Sequence, residues 1–299
     1  MAGPGAASVD GLLGRCTFPP PGTGVVCAVS GGADSLALLV LACASGASVT
    51  AVHVDHGLRP GSATEAAVVE AAARRFGAAF RAETVVVGDG PNLEARARAA
   101  RRAVLGPEAA TGHTMDDQAE TVLLNLLRGA GLDGLGAMRV GPRHPILGLR
   151  RAETQSLCAD LGLDPVVDVT NADPRFRRNR VRAELLPLCS VVAGRDVVPV
   201  LARQAGVLAA EADLLEELAA GIDAADTAAL ARAPGPLARR ATRRWLRHDG
   251  PHPPDLAAVD RVLGVARGEA RATDVAPGTR VRRSRGRLTA GPVWGPVDR

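Results

Sequence analysis

GVVCAVSGGADSLALLVLAC, residues 24–43, sets an apolar strand, a polar turn and an apolar helix end to end. Residues 24–29 are small and β-branched and read as a buried strand, while Leu36 to Cys43 reads as a short buried helix. Between them lies Ser30-Gly31-Gly32-Ala33-Asp34-Ser35. Two glycines let the backbone approach an anion closely, and a helix that begins there points its first N–H groups at the same spot. Ser30 and Ser35 add hydroxyl donors, and Asp34 is suited to hold Mg²⁺ against phosphates. The plainer alternative is a Ser/Gly turn with Asp34 or Ser35 as an ordinary N-cap. No G-x-G-x-x-G dinucleotide fingerprint is present.

Outward from this stretch the chain alternates strands and helices. Residues 48–54 and 83–87 read as strands and 108–111 as a weak one; 63–76, 92–105 and 115–127 read as helices. That alternation predicts an α/β domain with a parallel, Rossmann-like sheet covered on both faces. After about residue 190 the texture becomes alanine- and leucine-rich. Residues 196–220 read as one long helix, 227–248 as helix broken at Pro234-Gly-Pro236, and 254–267 as another. A strand-like tail follows, with Arg285-Gly286 as a hairpin turn. The expected organisation is a catalytic domain over 1–195, a linker helix over 196–220 and a small, mainly helical domain over 221–299.

Composition removes several chemistries. Every one of the 36 basic residues is arginine, so no Walker-A loop, kinase lysine or lysine Schiff base can be built. Any ATP must be held without a phosphate-gripping lysine. The five cysteines, at 16, 27, 43, 158 and 189, lack C-x-x-C spacing, which speaks against a zinc or iron–sulfur site and for a reducing cytoplasm. No apolar run reaches membrane-spanning length, and the N-terminus lacks the pattern of a secretory signal. The net charge of +4 is distributed unevenly: five arginines fall in Arg175–Arg182, five in Arg239–Arg247 and five in Arg280–Arg287. Dense runs without matching acidic blocks point to a polyanion, against the alternative of a solvated, ion-paired face.

Three further segments carry polar clusters. His53-Val-Asp55-His56-Gly57-Leu58-Arg59 follows the second strand and suits a nucleotide contact, a metal site or a polar loop. Glu94, Arg98 and Arg101 share one helical face, as ion-paired surface helices also do. In Gly112-His113-Thr114-Met115-Asp116-Asp117-Gln118-Ala119-Glu120-Thr121, Thr114 is placed to cap a helix whose first turn holds the two aspartates. His113 and Asp117, four apart at that helix start, are close enough to converge on one atom.

Together with Asp168-x-x-Asn171-x-Asp173-x-x-Phe176-x-Arg178-Asn179-x-x-Arg182 before Leu-Leu-Pro187, these segments resemble the tRNA(Ile)-lysidine synthetase family. SGGADS resembles the PP-loop of ATP pyrophosphatases, and the blocks run in family order over about 30–187. Arg102, Val169 and Ala183 depart from the usual tyrosine, proline and histidine.

The resemblance implies an ATP-consuming ligase. It adenylates C2 of the wobble cytidine in the CAU-anticodon isoleucine tRNA, then replaces AMP with the side-chain amine of free lysine. It further implies that Ser30, Gly31, Gly32, Ala33, Asp34, Ser35 and His56 hold ATP, with Mg²⁺ on Asp34. Asp117 and His113 would be the acid–base and positioning pair, and Arg98, Arg178 and Arg182 would meet substrate phosphates. The second domain would bind the tRNA body through its arginine runs. A homodimer is compatible with the sequence. The competing expectations are a tRNA thiolase on the same fold and a non-catalytic RNA-binding protein.

Overall fold

A computed structural model describes residues 9–55, 62–85, 96, 100, 102–166, 173–246, 254–276 and 278–292. The chain forms two compact units, Met1–Ala209 and Ala210–Arg299, and the division falls within the helix Val198–Ala220.

In the first unit β1 (Gly24–Ala28), β2 (Ser48–Asp55), β3 (Ala79–Thr84) and β4 (Ala110–Thr111) form a parallel sheet in the order β3-β2-β1-β4. Side chains alternate across it, as a pleated strand demands. Cys27, Val29, Val49 and Ala51 enter the main core, and Ala28 and Val52 pack on Leu105 and Ala109 on the opposite face. The helix Ala33–Ala44 is buried on all sides, with Leu36, Leu38, Leu39 and Leu41 fully enclosed. At roughly 1.5–3 kcal/mol per buried leucine, this helix anchors the unit and fixes the turn before it.

The chain winds from β1 outward to β3 and then crosses to the other side of β1 to make β4. That reversal opens a crevice at the carboxyl ends of β1 and β4, where open parallel sheets place their ligands. The third strand begins earlier than the sequence suggested and spans 79–84; of the expected 83–87, residues 86 and 87 lie outside the described residues. As the sheet's edge it pairs on one side only, so its polar residues need no apolar alternation. The expected helix over 92–105 falls mostly outside the described residues, which include helical 102–105.

Two helices complete the crevice, Met115–Leu127 and Arg151–Asp160. A third wall comes from a turn of helix Arg177–Arg180 that widens into a π turn, Val181–Leu185, before the helix Leu186–Ala193. Pro187 explains the widening: it has no N–H to donate, and its ring would clash with the carbonyl one helical turn back. The Leu186 N–H reaches the Val181 carbonyl instead.

In the second unit the helices Thr227–Arg232, Gly235–Leu246 and Leu256–Arg267 pack with an antiparallel sheet of β5 (Ala272–Ala276), β6 (Thr279–Ser284) and β7 (Arg287–Pro292). The β6–β7 turn is Arg285-Gly286, both with positive φ (47° and 78°), as a two-residue hairpin requires. β5 was not foreseen. Among the described residues no single helix is long and apolar enough to cross a membrane.

Candidate active site

The loop after β1 is held by its own hydroxyls. The Ser30 N–H donates to Ser35 Oγ at 3.2 Å, and the Ser35 hydroxyl donates to the Gly32 carbonyl at 2.8 Å. Gly31 has φ +88° and accepts the Val166 N–H at 3.0 Å; a Cβ there would meet Val166 at 3.1 Å. Gly112 lies against the same loop from β4, and a Cβ on it would stand 2.7 Å from the Asp34 carbonyl oxygen. Glycine is therefore required at 112 by close approach of backbone to backbone. Ser30 is exposed at the mouth of the crevice, above the N-terminus of the Ala33–Ala44 helix. Hydroxyls and backbone N–H groups at a helix start form an anion seat without lysine.

Beside this seat three carboxylates and three guanidiniums interlock. Glu120, fully buried, accepts from Arg151 Nη1 at 3.1 Å, Arg178 Nε at 2.9 Å and Arg182 Nε at 2.7 Å. Asp117 Oδ1 accepts from Arg151 Nη2 at 2.9 Å and has Arg182 within 3.7 Å. Its Oδ2 accepts both the Thr114 N–H and the Thr114 hydroxyl at 2.9 Å, so it also closes the start of the Met115–Leu127 helix. Asp34 accepts from the Thr154 hydroxyl and faces Arg151 Nε at 3.4 Å.

The two aspartates are tuned in opposite directions. Burial pushes the Asp117 carboxyl up, but Arg151, the Thr114 N–H, Arg178 and His113 outweigh it and hold it below the usual range. At Asp34 burial prevails over Thr154 and Arg151, Asp117 adds repulsion, and the carboxyl is pushed up. Asp34 is thus a partly open carboxylate short of positive charge. Among the described residues no three acidic, histidine or cysteine side chains form a metal cage. One hard oxygen ligand beside an anion seat fits Mg²⁺, which takes its remaining ligands from phosphates and water.

His113 Nδ1 lies 2.7 Å from Thr111 Oγ1, which also meets His144 Nδ1 at 2.9 Å; the two rings stand edge to face with centroids 5.1 Å apart. Asp116 fixes the relation between the two helices. It accepts the Arg151 backbone N–H at 2.8 Å and the Arg150 guanidinium at 3.1 Å, joining the starts of both.

Of the residues singled out in the sequence, Ser30 to Ser35, Asp117, Arg178 and Arg182 line one crevice, with His113 at the start of the same helix as Asp117. Arg178 and Arg182 turn toward Glu120 and Asp117. His56, Arg98, Asp168 and Asn171 lie outside the described residues. Sequence reasoning gave no role to Glu120 and missed Arg151 and Thr154. Glu120 stood inside a quoted motif, but nothing in the run Gly-Leu-Arg-Arg-Ala-Glu-Thr at 148–154 distinguishes it from a surface helix start.

Residues 12–189 match a family model described as a PP-loop domain, and residues 226–289 match one described as the TilS substrate binding domain. The chain is 43% identical to the tRNA(Ile)-lysidine synthase of Nocardia farcinica, over 91% of this chain and 93% of that one. The enzyme of the same name from Rhodococcus jostii is 43% identical over 89% of each chain. Among solved structures, the U34-tRNA thiolase NcsA from Methanococcus maripaludis superposes with a TM-score of 0.53 at 16% identity, covering 67% of this chain and 77% of that one. At that identity the likeness is one of fold.

Proposed function

The chain belongs to the tRNA(Ile)-lysidine synthase family, and from that premise we propose that it joins free lysine to the wobble cytidine of the CAU-anticodon isoleucine tRNA at the expense of ATP. The observation that carries this reading is the meeting of an anion seat at Ser30–Ser35 with the Asp34, Asp117 and Glu120 cluster in one crevice.

The cytidine C2 oxygen attacks the α-phosphate of ATP; its bond to phosphorus forms as the bond to the β-phosphate oxygen breaks and pyrophosphate leaves. The amine of lysine then bonds to C2, the C2–O bond breaks, and AMP departs with the oxygen. Activation is necessary because a ring carbonyl offers no leaving group of its own. The loop N–H groups and Ser30 bind phosphate oxygens where charge develops. Mg²⁺ on Asp34 would offset the charge of the phosphates. The amine must lose a proton. Asp117, held ionised and already accepting from Arg151 and Thr114, suits binding of the cationic substrate better than proton removal. His113, oriented through Thr111, is the member of the pair suited to take the proton.

The second unit contributes tRNA contacts through its exposed arginines. ATP, tRNA and free lysine meet in the cytoplasm, where free cysteines stay reduced. Methionine tRNA shares the CAU anticodon, so discrimination must draw on the tRNA body. The test is incubation with ATP, Mg²⁺, labelled lysine and each CAU-anticodon tRNA. Label should enter the isoleucine tRNA and spare the methionine tRNA. Sulfur entering the RNA from a cysteine-derived donor, with no lysine incorporated, would overturn the reading.

A further inference from the structure

Arg151 meets a different carboxylate with each of its nitrogens: Nε faces Asp34 at 3.4 Å, Nη2 Asp117 at 2.9 Å and Nη1 Glu120 at 3.1 Å. Arg178 and Arg182 reach Asp117 and Glu120, and among the described residues Arg151 alone also reaches Asp34. Among the described residues it is the one guanidinium that joins the first turn of the Ala33–Ala44 helix to the Met115–Leu127 helix. The three acids and three guanidiniums leave this cluster formally neutral.

The residue stands where a helix disfavours it. Arg151 is the first residue of the Arg151–Asp160 helix, and the positive end of a helix dipole repels a cation. Asp116 offsets this by accepting the Arg151 N–H and the neighbouring Arg150 side chain, while Glu153 accepts the Arg150 N–H at 2.8 Å. Local preference is overridden for the sake of a side chain only 19% exposed and aimed at the crevice.

We propose that Arg151 is a positioning residue, which clamps Asp34 to the acidic pair on the Met115–Leu127 helix and sets a charge balance that admits an anionic triphosphate and a cationic amine together. This rests on the lysidine reading above. Arg151→Gln would leave three carboxylates facing two guanidiniums, one net negative charge. The triphosphate then meets added repulsion and the ammonium added attraction. The KM for ATP should rise on the order of tenfold, the scale of one partly screened charge interaction. The KM for lysine should stay level or fall, while kcat drops because the carboxylates are no longer held. Arg151→Lys keeps the charge but not the fork, so it should recover the ATP KM and leave kcat low.

The experiment measures both KM values and kcat with the full chain and isoleucine tRNA, with ATP affinity by calorimetry in the absence of tRNA and lysine. Melting temperatures confirm that each variant is folded. A raised KM for ATP without a rise in the KM for lysine, with charge rescue by Arg151→Lys, supports the clamp. A rise in both KM values, or no rise in the KM for ATP, in a folded Arg151→Gln protein overturns it. If the wild-type chain incorporates no lysine, the functional reading fails instead. Calorimetry then decides the clamp alone: weaker ATP binding in Arg151→Gln that Arg151→Lys restores supports it, and unchanged binding overturns it.

Discussion

Asp34 and Asp117 share one guanidinium and differ in what else surrounds them, and their replacement separates stability from activity. Asp117 has a folded pKa below its unfolded value. Its contribution to stability is therefore present above about pH 3.9, the unfolded aspartate value, and is lost as pH falls through the depressed folded value. Asp34 has the opposite sign: its contribution is present below about pH 3.9, the unfolded value, and is lost as pH rises through its raised folded value. Asp117→Asn should thus destabilise the protein at pH 7 by about 1–3 kcal/mol, since Arg151, Arg178 and Thr114 lose a charged partner. Asp34→Asn should leave stability at pH 7 level or raise it. Lysidine formation should fall at least about 100-fold for Asp117→Asn, since losing one partner of a buried charge pair costs roughly 2–5 kcal/mol. Denaturant melts at pH 4 and 7 beside turnover assays check the pair; equal loss of stability in both variants contradicts the assignment.

Between elements, the decisive contact is backbone on backbone. Gly112, at the end of β4, leaves no room for a Cβ beside the Asp34 carbonyl, so Gly112→Ala must push the loop or β4 aside. Overpacking of this kind costs about 1–3 kcal/mol. ATP affinity by calorimetry should weaken more than the melting temperature suggests, because the displaced atoms are those of the anion seat. This contact was invisible in the sequence, although both partners were not. The SGGADS turn and the acidic helix start could be read because helix initiation and phosphate cradling are local chemistry, carried by adjacent residues. The bridge by Arg151 depends on two helix starts that Asp116 brings together across sequence separations of 34 and 35. No periodicity reports such a meeting. The misplaced third strand has a similar cause: Ala79–Thr84 is a strand because β2 offers it partners, not because its own residues alternate.

At the scale of the molecule, the arginine runs divide into two classes that the sequence could not separate. Arg239 pairs with Asp260, Arg244 with Glu216, Arg280 with Asp274 and Arg287 with Asp223, so much of the apparent excess charge is matched by acids that lie outside the runs. Among the described residues Arg282, Arg283 and Arg285, exposed on and beside the β6–β7 turn, have no carboxylate partner. Nucleic-acid contact in this unit should therefore concentrate there and not on the half-buried Arg243 and Arg244. Arg282→Ala with Arg285→Ala should weaken tRNA binding and flatten its log–log salt slope by roughly 1 to 2 if each meets a phosphate. ATP binding to the first unit should be unchanged. An unaltered slope returns the hairpin to an ordinary solvated surface.

The wide turn at Val181–Leu185 makes two sequence changes interdependent. Val181 and Leu186 enter the same core although they are five positions apart, which a regular helix would place on diverging faces. Deleting Ala183 would bring them four apart and restore regular spacing, but Pro187 would then sit inside an unwidened helix. Replacing Pro187 by alanine alone removes the obstacle and leaves one residue too many. Each change by itself should lower the melting temperature, and the two together should recover much of the loss. A relative lacking one residue here is expected to lack the proline as well, so length and composition at this turn are inherited as a pair.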